Sequence, residues 1–387
     1  MGVLRMRQAN MILPTYTADV SGVCSALYEL GGMTVMHDAS GCNSTYNTHD
    51  EPRWYSTPSM VYISALTETE AMLGDDKRLI ENVCQTALEQ HPRFIALCGT
   101  PIPTMTGTDL PGLARLVERR TGIPSFGFPT TGMQDYLSGA GMALSGVARR
   151  FLPEKAQRTE KPSLNLLGVT PLDFSVTGNV QALRACCQEN GFAVRGCWAM
   201  GDPFEMLMGA GGAWANLVVS AAGLPLARLL REKYGTPYVA GIPIGGRLAG
   251  TLFAALRQAA AGEAAADPLA VPQEAGGRPA LVIGEPVWAL SMRAAMLAKG
   301  FTDVRAVTML APYPLPFLPC GRQAASEEEI FALAKTASFV AADPLYKPAV
   351  PQGVPFASFP HEACSGRIWR KDIPLFIGQD GDKALSV

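Results

Sequence analysis

Short apolar runs separated by amphipathic stretches recur along most of this chain, the one-dimensional signature of alternating strands and helices. In the first third, the runs Met33-Thr34-Val35-Met36, Arg93-Phe94-Ile95-Ala96-Leu97 and Ile123-Pro124-Ser125-Phe126-Gly127 predict strands. Between them the spacing predicts a short helix over 26–30 that Gly31-Gly32 stops, and an amphipathic helix over 77–89 with Leu79, Ile80, Val83 and Leu88 inward. The Thr106-Gly107-Thr108-Asp109 turn caps a further helix that reaches Arg120, and a helix after Thr130-Thr131-Gly132 ends near Phe151. Residues 1 to about 20 carry no period and read as an arm or edge segment.

The pattern then repeats twice. Strands are predicted over 163–169, 192–196, 216–220 and 238–242, with a helix from Thr177-Gly178-Asn179 through Asn190 and an alanine-rich helix over 250–266. A last set has strands over 280–284, 304–308 and 339–342 and helices over 287–299 and 326–336. Charged, proline-bounded 153–162 and the proline- and glycine-punctuated stretch 267–279 divide the chain into 1–160, 161–266 and 280–387. The expected fold is three doubly wound parallel α/β domains, whose strand C-termini converge on a crevice.

Composition narrows the function classes. Hydrophobic content of 48% with 17% charged residues over 387 positions suits buried multi-domain cores, and a formal net charge of −2 gives no electrostatic reason for nucleic acid. No apolar run approaches the ~18 residues of a membrane span, and the opening residues lack a signal-peptide core, so a cytoplasmic location is expected. Nine unevenly spaced cysteines do not form a secreted disulfide framework.

Three of those cysteines stand apart. Cys24, Cys42 and Cys98 are expected at turns or strand ends beside Gly22, Gly41 and Gly99, small residues that let backbone approach a bulky inorganic cluster. Thiols so placed are a plausible iron-sulfur ligand set one ligand short of four. Plain core packing is the alternative for such buried-type residues. Cys84 and the adjacent Cys186-Cys187 lie within predicted helices and read as structural, and Cys320, His361 and Cys364 fall on loops. Gly139-Ala140-Gly141-Met142-Ala143-Leu144 misses a dinucleotide fingerprint because it sits inside a helix and ends on leucine. Ser326-Glu327-Glu328-Glu329 reads as an acidic helix start.

The flanks of the three cysteines, His37-Asp38-Ala39-Ser40-Gly41-Cys42, the stretch from Ser64 to Leu79 and Cys98-Gly99-Thr100-Pro101, resemble the nitrogenase component 1 family. The resemblance continues through Asn216-Leu217-Val218-Val219-Ser220 and Glu232-Lys233-Tyr234-Gly235-Thr236-Pro237, and fades after about Ala260. It implies Rossmann-like domains in that family's architecture and a cluster on Cys24, Cys42 and Cys98, either 4Fe-4S or a larger P-cluster-like one at a subunit interface. It also implies an oxygen-sensitive oligomer, a homodimer or a heterodimer or heterotetramer with a homologous subunit. Electrons would come from a separate ATP-dependent iron-sulfur reductase homodimer, since this chain has no Gly-x-x-x-x-Gly-Lys motif of its own. Segment 43–55, with His49, Asp50 and Trp54, reads as a surface loop or as a contact to the cluster or a partner.

Within the resemblance, the position of nitrogenase's cofactor cysteine is Ser220, an alcohol and a poor iron ligand, and His361 lies only near the family's cofactor histidine. The expected activity is therefore reduction of an organic substrate, of which a tetrapyrrole is one candidate, and not of dinitrogen. His37, Asp38 and His361 are candidate acids, Asp38 is a candidate oxygen ligand, and Ser220 and His361 are expected to share a substrate-sized pocket. Assembly scaffold and cluster-free binding protein are the competing classes.

Overall fold

The computed structural model describes residues 10–41, 43, 46, 51–274, 276–310 and 321–384. Cys42, His49, Asp50 and Cys320 lie outside the described residues. The described chain builds three all-parallel sheets. Strands β1 (Met33–His37), β2 (Met60–Ile63), β3 (Ile95–Gly99) and β4 (Ser125–Phe128) pair in the order β2-β1-β3-β4. Strands β5 (Ser163–Leu167), β6 (Ala193–Cys197), β7 (Ala215–Val218) and β8 (Tyr238–Ala240) pair as β6-β5-β7-β8. The third sheet takes β9 (Ala280–Ile283), β10 (Val304–Thr308), β11 (Gly321–Gln323), β12 (Phe339–Ala342) and β13 (Phe356–Ser358) in the order β11-β10-β9-β12-β13.

Each order reverses direction once, between β1 and β3, β5 and β7, and β9 and β12, so each sheet has one switch point where its strand C-termini open a crevice. The central strands β1, β3, β5, β7 and β9 are buried at every position, which is why they read as continuous apolar runs in the sequence. Edge strand β2 varies in exposure and has no counterpart among the predicted strands.

Helix positions depart from expectation where burial removes the polar face. The predicted 26–30 helix is in fact Asp19–Leu27, all nine residues buried, so no 3.6-residue period marks it. Cys24 therefore sits inside a helix and not at a turn. The helix crosses Tyr136–Phe151 so closely that a Cβ on Gly22 would lie 2.0 Å from the Tyr136 carbonyl oxygen, and one on Gly139 would lie 1.8 Å from that of Asp19. Gly22 and Gly139 serve that crossing. The alanine-rich helix runs over Gly245–Ala260, earlier than its composition suggests.

The N-terminal segment is a strap. The Glu327 carboxylate accepts from the backbone N–H groups of Met11, Ile12 and Leu13 at 2.9 Å each, and Thr17 N then donates to Ala363 O at 2.8 Å. An isolated antiparallel bridge, Ala18 with Asp135, carries the segment onto the first sheet's layer.

Candidate functional site

At the switch point of the first sheet, Cys98 is the penultimate residue of β3 and meets Cys24 from the neighbouring helix thiol to thiol. Both are fully buried, and Cys98 Sγ lies 3.5 Å from the Val35 carbonyl oxygen that it faces as donor. Burial, then the Cys98 neighbour, pushes the Cys24 thiol well above its ordinary range, so it is neutral in this environment. Among the described residues, no three His, Cys, Asp or Glu side chains converge as a metal-ligand set. Of the expected ligand set, Cys24 comes from inside its helix and Cys98 from the end of β3, and both pack in the hydrophobic core; Cys42 lies outside the described residues.

The residues around the pair are held by local hydrogen bonds and packing. Asp38 accepts from Ala39 N at 2.8 Å and from Asn43 Nδ2 at 2.6 Å, one bond to each carboxylate oxygen, which ties it to the residue next to Cys42. His37 is buried with Nδ1 2.9 Å from Ser64 Oγ, and desolvation lowers its pKa against the opposing pull of Asp76. A Cβ on Gly99 would meet Leu110 at 2.8 Å and Thr130 O at 3.0 Å, so packing already requires that glycine. Among the described residues, nothing lies within 4 Å of where a Cβ on Gly41 would stand.

A second polar cluster forms where the switch points of the other two sheets face each other. Tyr136 donates its hydroxyl hydrogen bond to Asp173 Oδ1, and His361 Nε2 lies 3.3 Å from the same oxygen. Thr170 Oγ1 donates to Asp173 Oδ2 at 2.7 Å. His361 is not a solvent-exposed loop residue: its side chain is 12% exposed, and its Nδ1 accepts from Ala363 N at 3.2 Å as the cap of the turn Glu362–Ser365. That acceptor role places the neutral ring's proton on Nε2, facing Asp173.

Ser220 ends up as a cap. It is fully buried, its Oγ accepts from Ala222 N at 3.3 Å, and the next residue's N–H donates to Glu285 Oε1 at 2.8 Å. Burial, and then the Asp173 charge, pushes the Glu285 carboxyl up to about 8. Ser220 does not line the cavity at His361, so the described residues show no substrate-sized pocket shared by the two. The cavity at His361 amounts to about 20 Å³, and Tyr16 of the strap and the stretch Ile373, Pro374 and Phe376 help to wall it. A void of that size accommodates about one water molecule.

Sequence reasoning missed Tyr16, Tyr136, Asp173, Glu285 and Asp343, although a signal was present. Thr100-Pro101, Thr170-Pro171, Glu285-Pro286 and Asp343-Pro344 each pair a polar N-cap with a proline at the first helical position, shortly after a strand. All four cap residues are buried. It also missed the acid and base in Glu51-Pro52-Arg53, whose buried ion pair has a 2.7 Å Nε–Oε1 contact. Within 43–55, the described residues Tyr46, Glu51 and Arg53 are buried.

Comparison with known proteins places this geometry. A family model described as nitrogenase component 1 type oxidoreductase matches residues 22–300. Similar proteins include a light-independent protochlorophyllide reductase subunit of Zygnema circumcarinatum, 30% identical over 185 residues, 44% of this chain and 35% of that one. The nitrogenase iron-molybdenum cofactor biosynthesis protein NifE of Clostridium pasteurianum is 24% identical over 240 residues, 58% of this chain and 51% of that one. The chain thus spans about a third to a half of the length of these relatives. Solved structures of nitrogenase Cp1 at pH 6.5 and at pH 5 share the fold, with TM-scores of 0.69 and 0.66 at 16% identity. They cover 99% of this chain, and 93% and 89% of theirs.

Proposed function

Given that this chain belongs to the nitrogenase component 1 type oxidoreductase family, we propose that it is the electron-accepting, substrate-reducing component of a two-component reductase. The carrying observation is the buried thiol pair of Cys24 and Cys98 at the first sheet's switch point. Those three residues would hold an iron-sulfur cluster, which supplies storage and passage of single low-potential electrons. The chain's own contribution would be to bury the Cys24 and Cys98 thiols, with Asp38 accepting from Asn43 Nδ2 next to Cys42 in sequence.

In this reading the electrons come from a separate ATP-dependent iron-sulfur reductase, and the fourth position at the cluster is completed across an interface with a second copy or a homologous subunit. The relatives named as protochlorophyllide reductase subunits support an organic substrate of the tetrapyrrole class. Substrate would enter the crevice between the second and third sheets after its walls part. Asp173 and His361 sit there as an acid-base pair, with Tyr136 donating to Asp173. Ser220, a buried cap, leaves that crevice without a thiolate at its position, which argues against a nitrogenase-type catalytic metal there.

A scaffold for metal-sulfur cofactor assembly is the second reading, favoured by the match to a cofactor biosynthesis protein over 58% of this chain. Anaerobic purification with iron and sulfide quantitation and EPR of the reduced state tests the cluster. Cys98→Ala is expected to lose most bound iron, whereas Cys84→Ala and Cys186→Ala keep it; wild-type iron content in Cys98→Ala would overturn the assignment. Turnover with a dedicated reductase then separates enzyme from scaffold, since a scaffold releases its cargo to an acceptor protein without substrate reduction.

A further inference from the structure

The void of about 20 Å³ beside His361 holds no organic ligand, so a crevice that takes one must first move a wall. Much of that wall is scaffold: Ile283 ends β9, Trp288 stands on the helix Pro286–Ala298 and Asp173 lies in the turn Pro171–Phe174. The stretch from Gly366 to Gly378 is different. It supplies Ile373, Pro374 and Phe376 to the cavity yet contributes no residue to any of the three sheets. We infer that this stretch is the lid of the crevice and that the Asn179 amide is its latch.

Glycines in the left-handed region bound the stretch, Gly366 at φ 57 and Gly378 at φ 58. Among the described residues, nothing lies within 4 Å of where a Cβ on either would stand, so backbone conformation and not packing calls for glycine there. Such positions absorb the φ/ψ change when a segment swings. Between them the regular structure is two 3-10 turns, Gly366–Ile368 and Arg370–Asp372. Ile368, Trp369 and Leu375 are exposed, so the outer side of the stretch faces solvent.

On the crevice side, one side chain holds the lid shut. Asn179, fully buried at the start of the helix Asn179–Glu189, donates from Nδ2 to Pro374 O at 3.0 Å and accepts at Oδ1 from Phe376 N at 3.1 Å. Its amide thus stands in for a strand partner to the residues on either side of Leu375. Phe376 then packs on Phe174, with ring centroids 6.2 Å apart, and seals the void. At the other end Arg370 Nε lies 3.0 Å from both oxygens of Glu362, in the turn just before Gly366, and this pair braces the closed form. The strap that brings Tyr16 is the other candidate wall. A carboxylate that accepts three backbone N–H bonds anchors it, and bonds to a charged group are stronger than those of a neutral amide. The Asn179 bonds are therefore the ones that yield first as the crevice opens.

The lid rests on the reading that this crevice takes the substrate, and its test tells the two apart. Wild type, Asn179→Ala and Asn179→Asp, each as the full chain, are treated with diethyl pyrocarbonate, and the rate of carbethoxylation is read at each histidine by peptide mass spectrometry. His361 reports the crevice, exposed His91 the reagent, and His37, buried at the end of β1, any general loosening. Asn179→Ala removes both bonds and is expected to raise the His361 rate about 10- to 100-fold, with His91 and His37 unchanged. Asn179→Asp, which keeps the acceptor and loses the donor, is expected to raise it by less. Amide exchange at Phe376 is expected to quicken in step, while β9 and β12 exchange as in wild type. An unchanged His361 rate in the folded variants overturns the lid, and so does a rise matched at His37. If neither variant folds, wild type decides: exchange at Phe376 faster than in β9 and β12 supports the lid, and exchange as slow as theirs overturns it, because the stretch would then open only with the whole molecule. Protoporphyrin IX, the tetrapyrrole probe, is expected to slow the modification of His361 in Asn179→Ala. A faster His361 rate that this macrocycle leaves untouched upholds the lid and overturns the tetrapyrrole reading of the crevice.

Discussion

Glu285 carries a proton that its setting makes hard to lose. Its carboxyl accepts from Ala221 N and Trp288 N at 2.8 Å each, yet burial and the nearby Asp173 charge outweigh those bonds and raise it to about 8 from 4.5. The folded state therefore holds the proton more tightly than the unfolded chain. Stability from this group is complete below pH 4.5 and is lost as pH rises to about 8. Urea midpoints measured across that range are expected to fall for wild type, with a flatter profile for Glu285→Gln. Equal slopes would show that Glu285 does not govern the trend.

Among the elements, the crossing of Asp19–Leu27 over Tyr136–Phe151 determines where Cys24 stands. The space beside Gly22 is occupied by backbone, with the Tyr136 carbonyl oxygen 2.0 Å from where a methyl would stand, and no side-chain rotation relieves that clash. Gly22→Ala is expected to cost about 1–3 kcal/mol or more in a denaturant titration, the range for overpacking a filled interior. Gly41→Ala is the contrast, since no described residue lies within 4 Å of where its methyl would stand. Its apo stability is expected within about 0.5 kcal/mol of wild type. Loss of iron binding in that stable variant would then report directly on close approach to a cluster.

At the scale of the whole molecule, one side chain from each sheet's neighbourhood meets at a point: Tyr136 follows β4, Asp173 follows β5 and His361 follows β13. The strap lies beside that junction, with the Tyr16 ring 5.4 Å from that of His361, and Glu327 anchors its far end. Glu327→Ala is expected to speed amide hydrogen exchange at Met11, Ile12 and Leu13 and to open the strap to proteolysis, with exchange in β1 and β3 unchanged. Unaltered exchange at those three amides would remove Glu327 as the anchor. Asp173→Asn, which leaves the Tyr136 hydroxyl and His361 Nε2 competing for one neutral carbonyl, is expected to lower stability by about 1–3 kcal/mol in the same titration.

The sequence determined the class of fold and the identity of the candidate cluster residues. Central strands buried on both faces must be apolar throughout, so β1, β3, β5, β7 and β9 were visible as runs, and the cysteines beside them were visible by type and flank. Tertiary structure decided the rest. An all-buried helix has no polar face to give it a period, so the setting of Cys24 was hidden, and Gly22 and Gly99, expected to face a cluster, proved to face backbone or packed side chains. The crevice cluster and the Arg53 hydrogen bonds join residues far apart in the chain, such as Tyr136 with His361 and Arg53 with Ala199. Hydrogen bonds of that kind depend on how the sheets pack against one another, and no local periodicity records them.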